Sequence, residues 1–341
     1  MLVLIMVHAP SYAGGDLSAT LSASPMGRLA SMSDVGNTGI QQPDRALQLV
    51  TALVRGANTD SEKAYRIYRW ITQHMRHDER AAARIGDPST KALSDLLANG
   101  RGSCAVFADV TLRMMALAGL KVRTVEGVAR AGDVRRQQAN HRWNEVWLNG
   151  EWRIVDTTWG AGYVDGGRFV REDTDLFFAM PQALARLSHF SLRRWESYPS
   201  GLQSATDESF HNSTTFQTFS KLSEQAVFMA AAGFPPDDLL QVAERGAAQP
   251  DWYEPTNSPV KVLRAPSSKL ISPDRLARFV FESGVYEEMA VVQGRKWQRQ
   301  TKQGRVFDIA LNPVPGELLV MGRRKGQDEF EAVLGYQVSR R

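Results

Sequence analysis

The chain has 341 residues, of which 43% are hydrophobic and 23% are charged, and its formal net charge is +4. This length favours two domains, or one domain with a large appendage, and leaves room for a sizeable core. The composition is typical of a soluble globular protein. After the N-terminus no apolar run reaches the ~20 residues that a membrane-spanning helix needs, so we expect no transmembrane segment in the mature chain. The single cysteine excludes an intramolecular disulfide and a thiolate-rich zinc site.

The positive charge is concentrated at the C-terminal end. Residues 255–341 contain fifteen Lys or Arg against nine Asp or Glu, a net charge of +6, so the rest of the chain carries −2. An anionic envelope component is therefore one predicted partner, and an ordinary solvated face of a small domain is the alternative. The basic residues are scattered without a nucleic-acid-binding motif, so we predict no nucleic acid partner.

The first residues resemble an export signal. Residues 1–7 read MLVLIMV and are followed by small residues up to Ala13, although the first basic residue is Arg28. We interpret residues 1–13 as a signal peptide and expect a periplasmic or secreted protein, with a cytoplasmic location as the alternative. Residues 14–43 are rich in Gly, Ser and Ala, and this composition predicts a flexible linker.

Helical patterns dominate the next part of the chain. Residues 44–55 suit a helix, and Thr59 with Glu62 forms a capping box before a second helix with apolar residues at helical spacing. A third helical pattern begins just after Gly102 and stops at Gly119. The apolar faces of these helices predict that they pack against a common core.

Strand-like segments follow at residues 121–129, 142–148 and 152–157, and Asn149-Gly150 between the last two is a strong hairpin signal. Residues 216–246 look helical with an interruption at Pro235-Pro236. Beyond them, short apolar segments divided by Gly or Pro predict a small Ig-like β-sandwich. The predicted domains after the linker are a core at 44–200, a helical extension and linker at 201–254, and the β-sandwich module at 255–341.

Cys104 has the sequence context of a nucleophile. It follows Gly100-Arg101-Gly102-Ser103 and opens the third helix, where the helix dipole and terminal N–H groups favour a thiolate. The same N–H groups can hold an oxyanion. A free cysteine buried as a small apolar residue is the alternative interpretation.

The hairpin supplies a base and a residue to orient it. A two-residue turn at Asn149-Gly150 places Leu148 opposite Glu151, and counting back along the strands places Trp143 opposite Asp156. Side chains alternate along a strand, so His141 lies on the same face, diagonal to Asp156, within reach of a His–Asp hydrogen bond. We predict Cys104, His141 and Asp156 as a catalytic triad.

The remaining candidate residues carry weaker signals. The other histidines have no comparable setting, and His189 and His211 lack a partner nearby in sequence, so we predict no metal site and no cofactor. Trp143 and Trp159 are candidates for lining a substrate cleft, with burial in the core as the alternative.

Three motifs in this order resemble a known family. They read RGSCAVFA at residues 101–108, HRWNEV at 141–146 and GEWRIVDTTW at 150–159. The chain thereby resembles the transglutaminase-like superfamily, in particular its kyphoscoliosis-peptidase-like branch, except that Arg142 stands where an alanine is common. The resemblance implies an α+β fold with a papain-like core, in which the cysteine helix packs on an antiparallel sheet. It also implies Cys104 as nucleophile, His141 as base and Asp156 as orienting acid.

These observations predict a cysteine hydrolase that acts on amide bonds of a protein or peptide through a thioester. The alternative acceptor is an amine, which would make the protein a crosslinking acyltransferase. An alternative of another class is a catalytically silent scaffold, or an envelope-binding protein that acts through its C-terminal β module.

Overall fold

The computed structural model describes residues 44–129, 141–165, 167–191, 214–253, 260–302 and 304–340. The predicted signal peptide at 1–13 and linker at 14–43 lie outside these residues. The described chain divides into two compact units, and the boundary between them crosses two strands. The first unit comprises 44–125 and 142–179, and the second comprises 126–129, 141 and 180–340. No helix of the described segments has the length and hydropathy of a membrane span.

The first unit combines six helices with short strands among its described residues. The helices are α1 (Arg45–Val54), α2 (Asp60–His74), α3 (Glu79–Ile85), α4 (Leu93–Asn99), α5 (Cys104–Leu117) and α6 (Thr157–Ala161). The strands that lie wholly or partly in it are β1 (Arg76–His77), β2 (Arg101–Gly102), β3 (Val122–Ala129), β4 (His141–Leu148), β5 (Glu151–Val155), β6 (Gly162–Asp165) and β7 (Arg168–Arg171). A 3-10 turn, Pro88–Thr90, precedes α4.

The second helix begins where the capping box predicted. Thr59 Oγ1 accepts a hydrogen bond from the backbone N–H of Glu62 at 3.1 Å, and the Glu62 carboxylate accepts from Asn58 N at 2.7 Å. The first bond satisfies a donor that a helix start leaves unpaired, and the second ties Glu62 back to the residue before the N-cap. The helix then buries Ile67 and Ile71 completely in the first unit's core.

That core joins the helices to the hairpin. Its buried side chains come from α1, α2, α4, α5, β4 and β5, so the cysteine helix packs on the antiparallel strands. On α5 the buried face includes Val106, Phe107, Val110 and Met114. Burying each such side chain contributes about 1.5–3 kcal/mol, which makes this helix a rigid support for its first residue.

The β4–β5 hairpin has the predicted turn and register. Asn149 and Gly150 have φ values of 53° and 86°, as a type I′ turn requires. Leu148 pairs with Glu151, and the pairing continues back to Asn144 and Val155. Strand β5 ends there, one residue before the expected pairing of Trp143 with Asp156, because Asp156 is the N-cap residue of the short helix α6.

Helix α6 approaches α2 so closely that one position tolerates only glycine. A Cβ at Gly160 would lie 2.1 Å from the hydroxyl of Tyr68, which is fully buried and donates a hydrogen bond to the Thr174 carbonyl. Burial, together with the carboxylates of Asp175 and Asp156, raises the pKa of Tyr68 well above its usual value, so it stays a phenol. This contact fixes the position of α6, whose N-cap residue is Asp156.

A four-stranded sheet has the order β5-β4-β3-β8. Its last strand, β8 (His189–Ser191), pairs antiparallel with the end of β3, and His189 lies opposite Ala129. This strand was not predicted. It has only three residues, and a segment so short carries no alternation that sequence analysis could detect.

The helical part of the second unit contains α7 (Gln182–Ser188), α8 (Thr214–Lys221), α9 (Ala226–Ala231) and α10 (Pro236–Glu244). The break at Pro235-Pro236 is confirmed, and a second break after Lys221 was not predicted. Phe216 and Phe219 of α8 contact Phe190 of β8, with ring centroids 5.2 and 5.5 Å apart.

The C-terminal part of the second unit is a β module of two sheets. Its strands are β9 (Asp251–Trp252), β10 (Val260–Arg264), β11 (Leu270–Ile271), β12 (Ala277–Ser283), β13 (Tyr286–Gln293), β14 (Lys296–Thr301), β15 (Val306–Leu311), β16 (Gly316–Arg324) and β17 (Phe330–Val338). One sheet has the order β10-β12-β15, and the other has the order β11-β17-β16-β13-β14, with β9 also paired to β17. Phe279 and Tyr336, on β12 and β17, bring the two sheets into contact at a ring centroid distance of 5.5 Å. The Ig-like sandwich arrangement stays a prediction.

Several of the module's basic residues are paired within it. Arg278 binds Asp308 at 2.5 Å, Arg324 binds Glu331 at 2.6 Å, and Arg323 binds Glu288 at 3.2 Å. The acidic partners in these pairs are already counted in the net charge of +6 for residues 255–341, and binding of an anionic partner stays a prediction.

Candidate active site

Cys104 is the first residue of α5 and is partly exposed. The turn before it is compact, because a Cβ at Gly102 would lie 2.4 Å from the Cβ of Val106. Only glycine therefore allows the chain to enter the helix along this path. The thiol consequently stands at the start of a helix whose remaining turns are packed into the core, as the sequence predicted.

Two buried polar contacts hold α5 against the hairpin and the helix that follows it. Thr111 Oγ1 lies 2.8 Å from Thr157 Oγ1 on α6, and Asn144 Nδ2 on β4 donates to the carbonyl of Ala108 at 3.0 Å. All of these side chains are buried. Hydrogen bonds are directional, so they fix the rotation of α5 as well as its distance from β4.

Asp156 is fully buried, and its orientation is set by the start of α6. Its Oδ1 accepts hydrogen bonds from the backbone N–H groups of Thr158 at 2.9 Å and Trp159 at 3.1 Å. Its own backbone N–H donates to the carbonyl of Phe177 at 3.0 Å. Both capping hydrogen bonds are accepted by Oδ1, and neither is accepted by Oδ2.

His141 is the first residue of β4 and is 9% exposed. One polar atom each from His141, Asp156 and His189 lie within 4.8 Å of one another. The structure therefore brings together the histidine and the aspartate that the hairpin register placed on one face. Their hydrogen bond, and the approach of the Cys104 thiol to the imidazole, stay predictions.

His189 is the member of this cluster that the sequence analysis missed. It is 5% exposed, its ring centroid is 6.1 Å from that of His141, and its Nδ1 lies 2.8 Å from the Ser188 hydroxyl. Its position depends on the pairing of β8 with β3, a contact between segments far apart in sequence. No local pattern around His189 signals that pairing.

The two tryptophans predicted as cleft residues are both buried. Trp143 is 1% exposed, and Trp159 is 9% exposed with its ring 5.3 Å from that of Phe177. Both side chains thus lie among core residues, and their contribution to a substrate cleft stays a prediction.

The part of the chain that contains these three residues matches a known protein family. Residues 47–157 match the transglutaminase-like superfamily model, and this range contains Cys104, His141 and Asp156. The segment is therefore a transglutaminase-like domain, with an α+β core in which the cysteine helix packs on antiparallel strands.

Over part of its length the chain is similar to curated relatives of the kyphoscoliosis-peptidase-like branch of that superfamily. Kyphoscoliosis peptidase of Homo sapiens is 31% identical over 176 residues, which cover 49% of this chain and 26% of the relative. Hillarin of Drosophila melanogaster is 30% identical over 128 residues, which cover 34% of this chain and 14% of the relative. The chain thus spans about a quarter or less of the length of these relatives.

Solved structures show a weaker likeness. A crystal structure from Cytophaga hutchinsonii, described as that of a candidate cysteine protease, is 21% identical, with a TM-score of 0.28. The match covers 34% of this chain and 37% of that one. The family assignment depends on the sequence matches alone.

Proposed function

We propose that this chain is a cysteine hydrolase that cleaves amide bonds of a protein or peptide, with Cys104 as nucleophile, His141 as general base and Asp156 as the residue that orients His141. The observation that carries the proposal is the meeting of His141 with Asp156 in a buried cluster. The cysteine helix is tied by hydrogen bonds to the strand that carries the histidine and to the helix that the aspartate begins.

The reaction follows from the chemistry of these three side chains. His141 removes the proton from the Cys104 thiol, and the thiolate attacks the amide carbonyl to give a tetrahedral oxyanion. The C–N bond then breaks, and His141 gives its proton to the leaving amine, which leaves a thioester on Cys104. Asp156 stabilises the imidazolium and holds its ring in the orientation that both proton transfers need.

Cys104 should therefore react faster than an ordinary thiol. We expect iodoacetamide to label it below neutral pH at least about tenfold faster than glutathione, because in the proposed mechanism His141 takes the proton of the thiol and leaves a reactive thiolate. The measurement is the labelling rate between pH 5 and 8, with the product located by peptide mass spectrometry. His141→Ala should slow this labelling to the rate of a free thiol.

His74→Ala is the matched control, because His74 is an exposed histidine at the end of α2. It should leave the labelling rate at Cys104 unchanged. Labelling of the unmodified protein at the rate of glutathione would contradict the enzyme proposal and would favour a scaffold that retains the fold without turnover.

The acceptor of the acyl group is the second part of the proposal. Water needs no second binding site, so we propose hydrolysis of the thioester, in which His141 activates the water and the thiol is regenerated. A protein substrate incubated with the enzyme and a biotinylated primary amine should gain new N-termini without incorporating biotin. Biotin incorporation that depends on Cys104, without cleavage, would instead identify an acyltransferase.

A further inference from the structure

The buried cluster of His141, Asp156 and His189 contains one side chain more than the proposed hydrolysis uses. Besides His141 and Asp156 it includes His189, which has no part in the proposed reaction. All three side chains are at most 9% exposed. Two imidazoles and one carboxylate that converge in a buried place form a donor set that proteins use for divalent transition metals.

We propose that His141, Asp156 and His189 bind a divalent transition metal ion of the Zn²⁺ type, and that the bound ion reversibly blocks the hydrolase. The binding site depends only on these three residues. The inhibition rests on the proposed function, because it requires that His141 is the general base.

The distances suit such a site. A tetrahedral zinc ion with bonds of about 2.0–2.2 Å separates its donor atoms by about 3.3–3.6 Å. One donor atom from each of the three residues already lies within 4.8 Å of the other two. Binding a zinc ion therefore requires the donor atoms to approach one another by at most about 1.5 Å.

Each histidine ligand of a metal is commonly held by a hydrogen bond to its other ring nitrogen. His189 has such a contact, because its Nδ1 lies 2.8 Å from the hydroxyl of Ser188, which is fully buried. When this hydroxyl accepts from Nδ1–H, Nε2 carries a lone pair that can bind a metal. Asp156 is held similarly, because the α6 N-terminus binds its Oδ1 and leaves Oδ2 outside the cap.

The charge of the set also fits a divalent cation. One carboxylate and two neutral imidazoles supply a single negative charge, and three protein ligands leave a zinc ion one further position for water or another group. In the proposed reaction the ring nitrogen of His141 that faces Asp156 carries a proton, and the other nitrogen accepts the proton of Cys104. A metal bound at the nitrogen that faces Asp156 moves the imidazole proton to the other nitrogen, which can then no longer accept a proton from Cys104. Metal binding and general-base catalysis by His141 therefore exclude each other.

The direct test is calorimetric titration of the full chain with Zn²⁺. We expect one binding site per chain with a dissociation constant in the micromolar range or below, and at least about tenfold weaker binding to His189→Gln. His74→Gln is the matched control and should bind as the unmodified chain does. Absence of binding, or equal binding by His189→Gln and the unmodified chain, would overturn the site.

A second measurement covers the case in which His189→Gln fails to fold, as judged by circular dichroism and thermal melting. The unmodified chain with Co²⁺ should then show the visible absorption of a low-symmetry site with nitrogen ligands. A spectrum identical to that of aqueous Co²⁺ would overturn the proposal without any variant.

Cys104→Ala separates this proposal from the proposed function. This variant should still bind Zn²⁺ with a dissociation constant within about threefold of the original, whereas loss of binding would show a thiol-centred site and contradict the three-residue cluster. In the unmodified chain Zn²⁺ should slow iodoacetamide labelling of Cys104 to the rate of a free thiol, as His141→Ala does, and EDTA should restore the faster rate. If Cys104 of the metal-free chain reacts at the rate of a free thiol while the chain binds Zn²⁺, the hydrolase is rejected and the metal site is kept.

Discussion

Replacing Cys104 with Ala should reduce peptide cleavage by at least about 10³-fold while leaving the fold intact. The thiolate is the only group in the proposed mechanism that forms a bond to the substrate, so its loss removes the acyl-enzyme pathway. Alanine has a high helix propensity and is tolerated at the start of α5, and the partly exposed side chain contributes little to the core. The measurement is the initial rate of cleavage together with the melting temperature.

Cys104→Ser is a stricter version of the same experiment. The hydroxyl has nearly the volume of the thiol but is a much weaker acid, so cleavage should fall to a similar extent with no change in stability. Cleavage that stays within a few-fold of the original rate in both variants would mean that Cys104 is not the nucleophile.

Asp156 is expected to show the second large effect, and two substitutions separate its two roles. Asp156→Asn keeps a carbonyl oxygen that can accept the N–H groups of Thr158 and Trp159, so α6 should still form. It loses the negative charge that stabilises the imidazolium and fixes its tautomer. Cleavage should therefore fall by about 10³–10⁴-fold, with the free energy of unfolding changed by less than about 1 kcal/mol.

Asp156→Ala removes the helix cap as well as the charge. It should lose activity to the same extent and also reduce the free energy of unfolding by at least about 1–2 kcal/mol, because buried N–H groups at the start of α6 lose their acceptor. Chemical denaturation of the two variants side by side measures the difference. If Asp156→Asn kept full activity, Asp156 would have a structural role only and no role in orienting His141.

The sequence predicted the hairpin because everything that determines it is local. Asn149-Gly150 supplies two residues with positive φ, and the flanking alternation fixes which side chains share a face. The approach of His141 to Asp156 followed from that register without knowledge of the rest of the fold. One detail of the predicted hairpin was wrong: Asp156 caps a helix, whereas we expected it to pair with Trp143 in the sheet.

Two strands and one site residue could not be predicted from the sequence, each for a physical reason. Strand β14 is mostly exposed on both faces, so its sequence lacks the apolar alternation of a half-buried strand. Strand β8 is too short for a pattern and depends on β3 for its existence. His189 reaches the site only through that pairing, so its place could not be derived from neighbouring residues.

The two polar contacts that tie α5 to β4 and α6 have a consequence for folding. They join residues 46 and 36 positions apart, so each forms only after a long loop has closed, at a considerable cost in chain entropy. Helix α5 and the hairpin are each built from hydrogen bonds that are local in sequence, but neither element alone can place the thiol relative to the histidine strand. A compact state with native helices and loosened tertiary packing would therefore retain its secondary structure and lose its activity. Turnover by this protein would thus report tertiary order more sensitively than its helical content does.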